Sequence, residues 1–315
     1  MKNKLLLLAF ILLLVACSSD EDTSEDVLFD FELQEIYSIS QNRAFAKITS
    51  TNEEAVFQLR VHQVDDNDFF TDFWFDATLA GLNSLCNLAP DTTYEATVFG
   101  ALEDEEFEGN TLTFTTQEVG IDDFTEVNEV VNPQTGRTWM DRNLGAERVA
   151  NSFIDNRAYG NLYQWGRRAD GHQFRDAEII ESQAADPQPH HGFFIVGFPT
   201  WHNQDATDLW KNEDGINNPC PCGFRLPTPE ELAEEINSWS TADADGAFES
   251  PLKFTLPGYR GNADGEIASE GKFGYYWSAE SENMNGKDMG INLFSAQVTS
   301  HLQGGGASVR CIKDE

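Results

Sequence analysis

Apolar and polar side chains alternate at every second position in several short segments of this chain. In RAFAKITS (residues 43–50), Ala44, Ala46 and Ile48 fall on one side. The stretch AVFQLRVHQV (residues 55–64) alternates in the same way. A two-residue period predicts strands with one buried face. Helical patterning is scarce, and Gly, Asn, Asp and Thr are frequent between the segments, so we expect a mostly β chain with long loops.

The N-terminus carries an export signal. Lys2 and Lys4 precede an unbroken apolar run, Leu5 to Ala16. This run is too short to span a bilayer, which takes about 20 residues, and a short apolar run behind positive charges is typical of a secretory signal. The run ends in LVAC, which resembles the bacterial lipobox. The resemblance implies that residues 1–16 are a lipoprotein signal peptide and that Cys17 is lipidated.

The residues after Cys17 begin SSDED. They resemble the serine-plus-acidic signal that directs Bacteroidota lipoproteins to the outer face of the outer membrane. We therefore expect residues 17–25 to be an acidic linker and export signal, on a surface-exposed outer-membrane lipoprotein that meets the membrane through its lipid anchor only. The alternative is a charged linker that serves solubility alone.

The formal net charge of −34 limits the partners of the chain. Nucleic-acid binding depends on basic contacts to phosphates, so nucleic acid is excluded as a partner. The charge suits a protein that faces neutral sugars, cations or basic partners, and it equally suits simple solubility.

The length of 315 residues predicts two domains after removal of the signal. A seam is expected in TTQEVGIDDF, residues 115–124. This gives a first domain at 26–117, a linker at 118–125 and a second domain at 126–315.

The first domain contains the stretch NLAPDTTYEATVFG. Leu88, Pro90, Thr92 and Tyr94 reproduce the L-x-P-x-T-x-Y pattern of fibronectin type III domains. The resemblance implies an Ig-like β-sandwich in which the Tyr94 hydroxyl bonds back to the corner backbone. Trp74 comes too late to be the tryptophan usual in an early strand, so another Ig-like sandwich remains open. No catalytic constellation is present, and a spacer or stalk is the expected role.

One acidic segment could contact Ca²⁺. VDDNDFF contains Asp65, Asp66 and Asp68, but it lacks the Gly and the distal Glu of a dedicated calcium loop. We therefore expect no cofactor and assign no metal site, with Ca²⁺ as the one alternative.

The second domain carries a series of ordered motifs: EVVNPQTGRTWMDRNLGAERVA, AYGNLYQWGRRADGHQ, GINNPCPCGFRLPTPEEL, SPLKFTLPGYRG, GYYWSAE and ASVRCIKD. In this order they resemble the Fibrobacter succinogenes major paralogous (FISUMP) domain. The family implies a cell-surface module with a poorly defined molecular function. It also implies an α+β module that is distantly similar to the C-type-lectin-like fold.

Two helices are predicted in this domain. LPTPEELAEEINSW has Thr228 as N-cap, Pro229 in the first turn and Glu231 completing a capping box. AYGNLYQWGRR (158–168) could form a second helix with Leu162 and Trp165 on one face.

Four cysteines remain besides Cys17, and thiols tend to oxidise outside the cytoplasm. The C-x-C pair is a poor start for a zinc site, and no C-x-x-C redox motif is present. The family pattern C-P-x-G assigns the usual role to Cys220, which implies a Cys220–Cys311 disulfide worth about 4 kcal/mol. Cys86 and Cys222 then stay free, or they bridge two closely packed domains.

Long loops rich in Gly, Asn, Asp and aromatic residues suit carbohydrate recognition, because sugars offer apolar faces to rings and hydroxyls to polar groups. The candidate ligand-binding residues are Trp201, His202 and Trp210 in one loop region and Tyr275 at the end of another. We therefore expect a non-catalytic binding or adhesion module.

Two alternatives remain open. One is a structural or protein-binding component of a surface complex. The other is an enzyme related to formylglycine-generating enzymes, but their reactive cysteine pair near the C-terminus has no counterpart here. No catalytic residue can be singled out.

Overall fold

The computed structural model describes residues 30–37, 39, 43–64, 73–79, 83–102, 105–117, 125–189, 191–204, 207–212 and 215–314. The predicted signal peptide, Cys17, the acidic linker and the aspartates of VDDNDFF lie outside the described residues. Of the expected linker 118–125, only Thr125 is described.

The N-terminal domain is built from strands. They are β1 (Phe31–Tyr37), β2 (Arg43–Ser50), β3 (Val56–Gln63), β4 (Phe73–Ala77), β5 (Asn83–Cys86), β6 (Thr93–Leu102) and β7 (Glu105–Thr115). They form two antiparallel sheets, in the orders β1-β2-β5 and β4-β3-β6-β7.

The two sheets share one hydrophobic core. Ala44, Ala46 and Ile48 of β2 are buried against Phe57 and Leu59 of β3 in a single cluster. On β3 the alternate residues are exposed or partly buried, as a half-buried sheet requires, whereas on β2 Arg43 and Phe45 are buried as well. The arrangement is a β-sandwich, and the strands predicted from the two-residue period are confirmed.

The corner before β6 has the predicted hydrogen bond. Leu88 and Tyr94 are buried in the sandwich core. The Tyr94 hydroxyl accepts a bond of 2.8 Å from the backbone N–H of Ala89. Asp91 turns the chain with a φ of 47°, in the left-handed region that Asp tolerates better than most residues.

The described part of the C-terminal domain consists of short strands, one larger sheet and two short helices. The strands are β8 (Glu129–Val131), β9 (Thr138–Met140), β10 (Tyr163–Gln164), β11 (Ile179–Ile180), β12 (Phe194–Ile195), β13 (Phe224–Arg225), β14 (Tyr259–Arg260), β15 (Ile267–Ala268), β16 (Phe273–Glu282), β17 (Asn285–Asn292), β18 (Ala296–Leu302), β19 (Gly306–Ala307) and β20 (Ile312–Lys313). The helices are α1 (Pro229–Asn237) and α2 (Ala244–Glu249), and a 3-10 turn covers Asn156–Ala158. The chain is thus mostly β.

The strands of this domain form separate sheets. β16, β17 and β18 make one antiparallel sheet. The other sheets have the orders β13-β20-β9-β8 and β10-β19-β14-β15, and β11 pairs in parallel with β12.

Helix α1 covers one face of the β16-β17-β18 sheet. Thr228 Oγ1 accepts from the N–H of Glu231, and the Glu231 carboxylate accepts from the N–H of Thr228, so the predicted capping box is present. Such a cap stabilises a helix by about 1 kcal/mol. Leu232 of α1 is buried in the same cluster as Met289 and Ile291 of β17. The side chains at the alternate positions of β17 therefore point to the opposite face.

The prediction of a second helix at residues 158–168 is wrong. Tyr163 and Gln164 form β10, which pairs with β19. Gly160 and Gly166 have φ values of 68° and 80°, which a right-handed helix does not allow. The spacing of Leu162 and Trp165 suggested a helical face, but both side chains are buried around a short strand.

Two disulfides are present among the described cysteines. Cys220–Cys311 joins the segment before α1 to the chain just before β20, as the family resemblance implies. Cys86–Cys222 joins the end of β5 to the same segment. The Cα atoms are 5.9 Å apart in each pair. The sequence left two states open for Cys86 and Cys222. The structure contains the disulfide between the two domains.

Candidate functional site

Three of the four predicted ligand-binding residues lie in the core. Trp201 and Trp210 are 0% exposed and His202 is 2% exposed. The Trp201 indole N–H donates to the carbonyl of Trp165 at 2.7 Å, and that of Trp210 donates to the carbonyl of Asn217 at 2.9 Å. The indoles are therefore packed and hydrogen-bonded within the fold. This corrects the expectation that these three side chains present a surface to a ligand.

The fourth predicted residue, Tyr275, lines an open cleft of about 290 Å³. The cleft lies between the β16-β17-β18 sheet and the sheet that contains β14 and β19. Its lining residues are Tyr259, Arg260, Gly261, Asn262, Tyr275, Trp277, His301, Leu302, Gly305, Gly306 and Ala307.

The floor of the cleft is the sheet face opposite α1. Strand register places Tyr275 beside Gly290, and it places His301 beside Gly286. A Cβ atom at Gly290 would lie 3.4 Å from the Tyr275 ring, so the ring lies against this glycine. Because Gly290 has no side chain, the Tyr275 ring extends across β17 and reaches His301 on β18.

Four rings are linked through Tyr275. Tyr259 meets it edge to face, with centroids 5.7 Å apart and planes at 77°. His301 lies 4.4 Å from it at 65°. Phe273, two positions earlier on the same strand, lies 6.1 Å away with its plane within 2° of parallel. Phe273 is 38% exposed and Tyr259 is 37% exposed. The result is a partly exposed aromatic surface along one edge of the cleft.

A buried carboxylate fixes His301. The Asp288 side chain is fully buried, and its Oδ2 lies 2.6 Å from His301 Nδ1. The Thr299 hydroxyl donates to the other oxygen, Oδ1. Since a carboxylate only accepts, Nδ1 carries the proton. The His301 side chain lines the cleft and is 45% exposed, so a ligand can reach this ring.

The Tyr275 phenol stays neutral in this setting. Burial, then the negative charge of Asp288 and the neighbouring Tyr259, raise the pKa of Tyr275. The hydroxyl is therefore retained as a hydrogen-bond donor and acceptor over the physiological pH range.

Arg260 lines the cleft, but its side chain makes contacts that stabilise the fold. Its guanidinium donates to the carbonyls of Gly265, Phe174 and Ala177 at 2.7, 3.0 and 2.6 Å. It also lies over the Phe194 ring at 4.2 Å. Burial lowers the pKa of Arg260, and the side chain is largely shielded from water.

Several residues in or beside the cleft were missed by sequence reasoning. Phe273, Tyr275 and Trp277 share the period of two in KFGYYWSAE, and this signal could have placed Phe273 beside Tyr275. Asp288 and His301 had no such signal, because their contact depends on the register of β17 and β18.

The described part of the chain shows no group of three or more His, Cys, Asp or Glu side chains that could hold a metal ion. Within the same residues, no helix is long and apolar enough to cross a membrane. The arrangement of the cleft suits reversible binding of a ligand with both apolar and hydroxyl surfaces.

No family model matches the chain, and no curated protein matches it. Among solved structures, a redesigned β-sandwich protein is 19% identical, with 27% of this chain and 87% of that chain covered and a TM-score of 0.24. The sensor domain of the anti-sigma factor RsgI4 of Pseudobacteroides cellulosolvens is 16% identical, with coverages of 32% and 100% and a TM-score of 0.25. A structure described as a myokine is 16% identical, with coverages of 27% and 92% and a TM-score of 0.23. At these TM-scores the likenesses carry no argument about function.

Proposed function

We propose that this protein is a surface-anchored, non-catalytic binding module of the bacterial outer membrane, and that its C-terminal domain binds carbohydrate in the cleft around Tyr275. The observation that carries the proposal is the linked set of partly exposed rings around this tyrosine. Aromatic rings pack against the C–H faces of sugars, and the Tyr275 hydroxyl and the His301 ring supply polar contacts.

The anchoring half of the proposal rests on the sequence. The apolar run that ends at Cys17 resembles a lipobox, and the acidic residues after it resemble a surface-export signal. Two disulfides suit an oxidising compartment and so support export.

The same proposal includes the family of each of the two domains. The first domain is a fibronectin type III-like sandwich, supported by the 3+4 strand arrangement and the Tyr94 corner. The second domain is a FISUMP domain with a C-type-lectin-like fold, supported by the ordered motifs of the sequence.

The test is a glycan array probed with the full-length protein in detergent, with and without EDTA. At least one saccharide should bind, and Tyr275→Ala should abolish the signal. Tyr275→Phe is the matched variant: it keeps the ring and should keep part of the affinity. If no saccharide binds, or if Tyr275→Ala binds as well as the wild type, carbohydrate binding in this cleft is refuted. Loss of binding in EDTA that added Ca²⁺ restores would show a Ca²⁺ requirement.

A second candidate function is protein binding within a surface complex. The outer face of the β4-β3-β6-β7 sheet favours it. Trp74 is 51% exposed there and packs on Phe99 at 5.3 Å, and Arg60 lies over the same Phe99 ring at 5.2 Å. Exposed aromatic and Arg side chains are enriched in protein interfaces. A silent glycan array, together with a partner whose capture is lost on Trp74→Ala, would favour this function.

A further inference from the structure

We infer that the cleft takes an extended chain of uncharged sugar rings rather than a single sugar. This inference rests on the proposed carbohydrate binding. It adds the class of ligand and the direction in which the ligand lies.

The aromatic surface extends beyond the cleft along β16. Phe273 does not line the cleft itself, but its ring is parallel to that of Tyr275 and 6.1 Å from it. Residues two apart on a strand lie on the same face, about 6.6 Å apart along the strand. A ligand that contacts Tyr275 in the cleft can therefore continue along β16 onto Phe273.

The rings spread away from Tyr275 and do not enclose one point. Tyr259 contacts Tyr275 from the neighbouring strand β14, and Phe273 contacts it along β16. Tyr259 and Phe273 are both more than one-third exposed. An enclosed pocket for one sugar would bury its aromatic walls, whereas an open surface of several exposed rings suits a chain with several sugar units.

The charges of the cleft favour an uncharged chain. Arg260 is the only Lys or Arg among the described residues that line it, and its guanidinium is held by three backbone carbonyls. The Nδ1 atom of His301 is held by the buried carboxylate of Asp288 on β17. Tyr259 and Tyr275 are the other titratable groups of the lining.

Among the described residues of the lining, no Lys or Arg side chain is therefore left for a carboxylate or sulfate group. The formal net charge of −34 adds long-range repulsion of anionic polymers. Uncharged hexose or pentose units are the chemistry that fits.

The test is a set of affinity titrations on the full-length protein in detergent. The probes are linear gluco-, manno- and xylo-oligosaccharides of one to six units, and galacturonic acid oligomers of the same lengths. For at least one neutral series, affinity should rise by about tenfold from one to four units, equivalent to about 1.4 kcal/mol, because the longer chain gains the contact with the Phe273 ring. Galacturonic acid oligomers should bind more weakly at every length.

The variant Phe273→Ala distinguishes binding of a sugar chain from binding of a single sugar. It should remove most of the gain with length, so that four units bind little more tightly than one. Phe294→Ala is the matched control, because Phe294 is 90% exposed at the turn after β17 and does not line the cleft. This control should bind like the wild type.

The outcomes separate the two proposals. Single sugars that bind with no gain in affinity on lengthening would overturn the chain inference and leave carbohydrate binding intact. Tighter binding of galacturonic acid oligomers would overturn the uncharged class. The absence of binding to every saccharide would overturn both.

Discussion

Replacing Trp201 with Ala should lower the stability of the C-terminal domain, because this side chain belongs to the core and not to a binding surface. The indole is fully buried. Its N–H donates to the carbonyl of Trp165, and the Arg167 guanidinium lies 5.5 Å from the ring centroid. Truncation removes this packing and leaves a buried carbonyl unpaired.

The expected cost is large. Truncating a buried tryptophan lowers the free energy of unfolding by about 3–5 kcal/mol. For a domain of this size, each kcal/mol shifts the melting temperature by about 2–4 °C, so Tm should fall by about 6–20 °C. The free energy lost with the indole hydrogen bond is included in this range.

The assay is thermal and urea unfolding of the full-length protein, with saccharide affinity measured below the transition. Tyr275→Ala is the matched comparison, because its ring is only partly buried and lies in the cleft. It should change Tm by a few degrees at most and abolish binding. If Trp201→Ala melts like the wild type and loses binding while Tyr275→Ala does the reverse, the assignment of core and cleft is refuted.

Three other predictions concern pH, disulfides and export. Burial, as the largest cause, lowers the pKa of His172 from 6.5 to about 4, so the unfolded chain takes up a proton that the folded chain excludes. The free energy of unfolding should therefore fall by about 2 kcal/mol between pH 7 and pH 5. In urea titrations, His172→Gln should remove most of this loss. An equal loss of stability in the variant would contradict the prediction. Non-reducing peptide mapping should show Cys86–Cys222 beside Cys220–Cys311, whereas a dominant Cys222–Cys311 peptide would contradict both pairings. Cys17→Ser should release the protein from the membrane fraction, and protease added to intact cells should digest the wild type; digestion only after lysis would place it in the periplasm.

The local features of the fold were predictable from the sequence. Period-two alternation in 43–50 and 55–64 identified strands because alternate apolar residues of each strand face the sandwich core. The cap at Thr228 and the corner at Tyr94 depend on residues within five positions of each other, so a single sequence contains all of the signal.

The burial of Trp201 and Trp210 was not predictable in the same way. The length of a loop does not say whether other segments cover it. The ring of Trp210 packs against that of Trp165, which lies far away in sequence. A long stretch without regular elements can therefore be a packed layer of the core.

The cleft was only partly predictable. Tyr275 was expected to contact ligand, and it lines the cleft. The pairing of Asp288 with His301 depends on the register of two strands, and the space above Gly290 depends on the same register. Residue spacing along one chain does not determine these distances.

The most direct test of the binding proposal is a titration of the ¹³C-labelled protein with a neutral oligosaccharide, followed by the aromatic NMR signals. Signals of Tyr275, His301 and Phe273 should shift together with a single dissociation constant, while those of the buried Trp201 and of Trp74 on the sandwich stay in place. Shifts confined to Trp74, or no shifts at saturating saccharide, would contradict carbohydrate binding in the cleft.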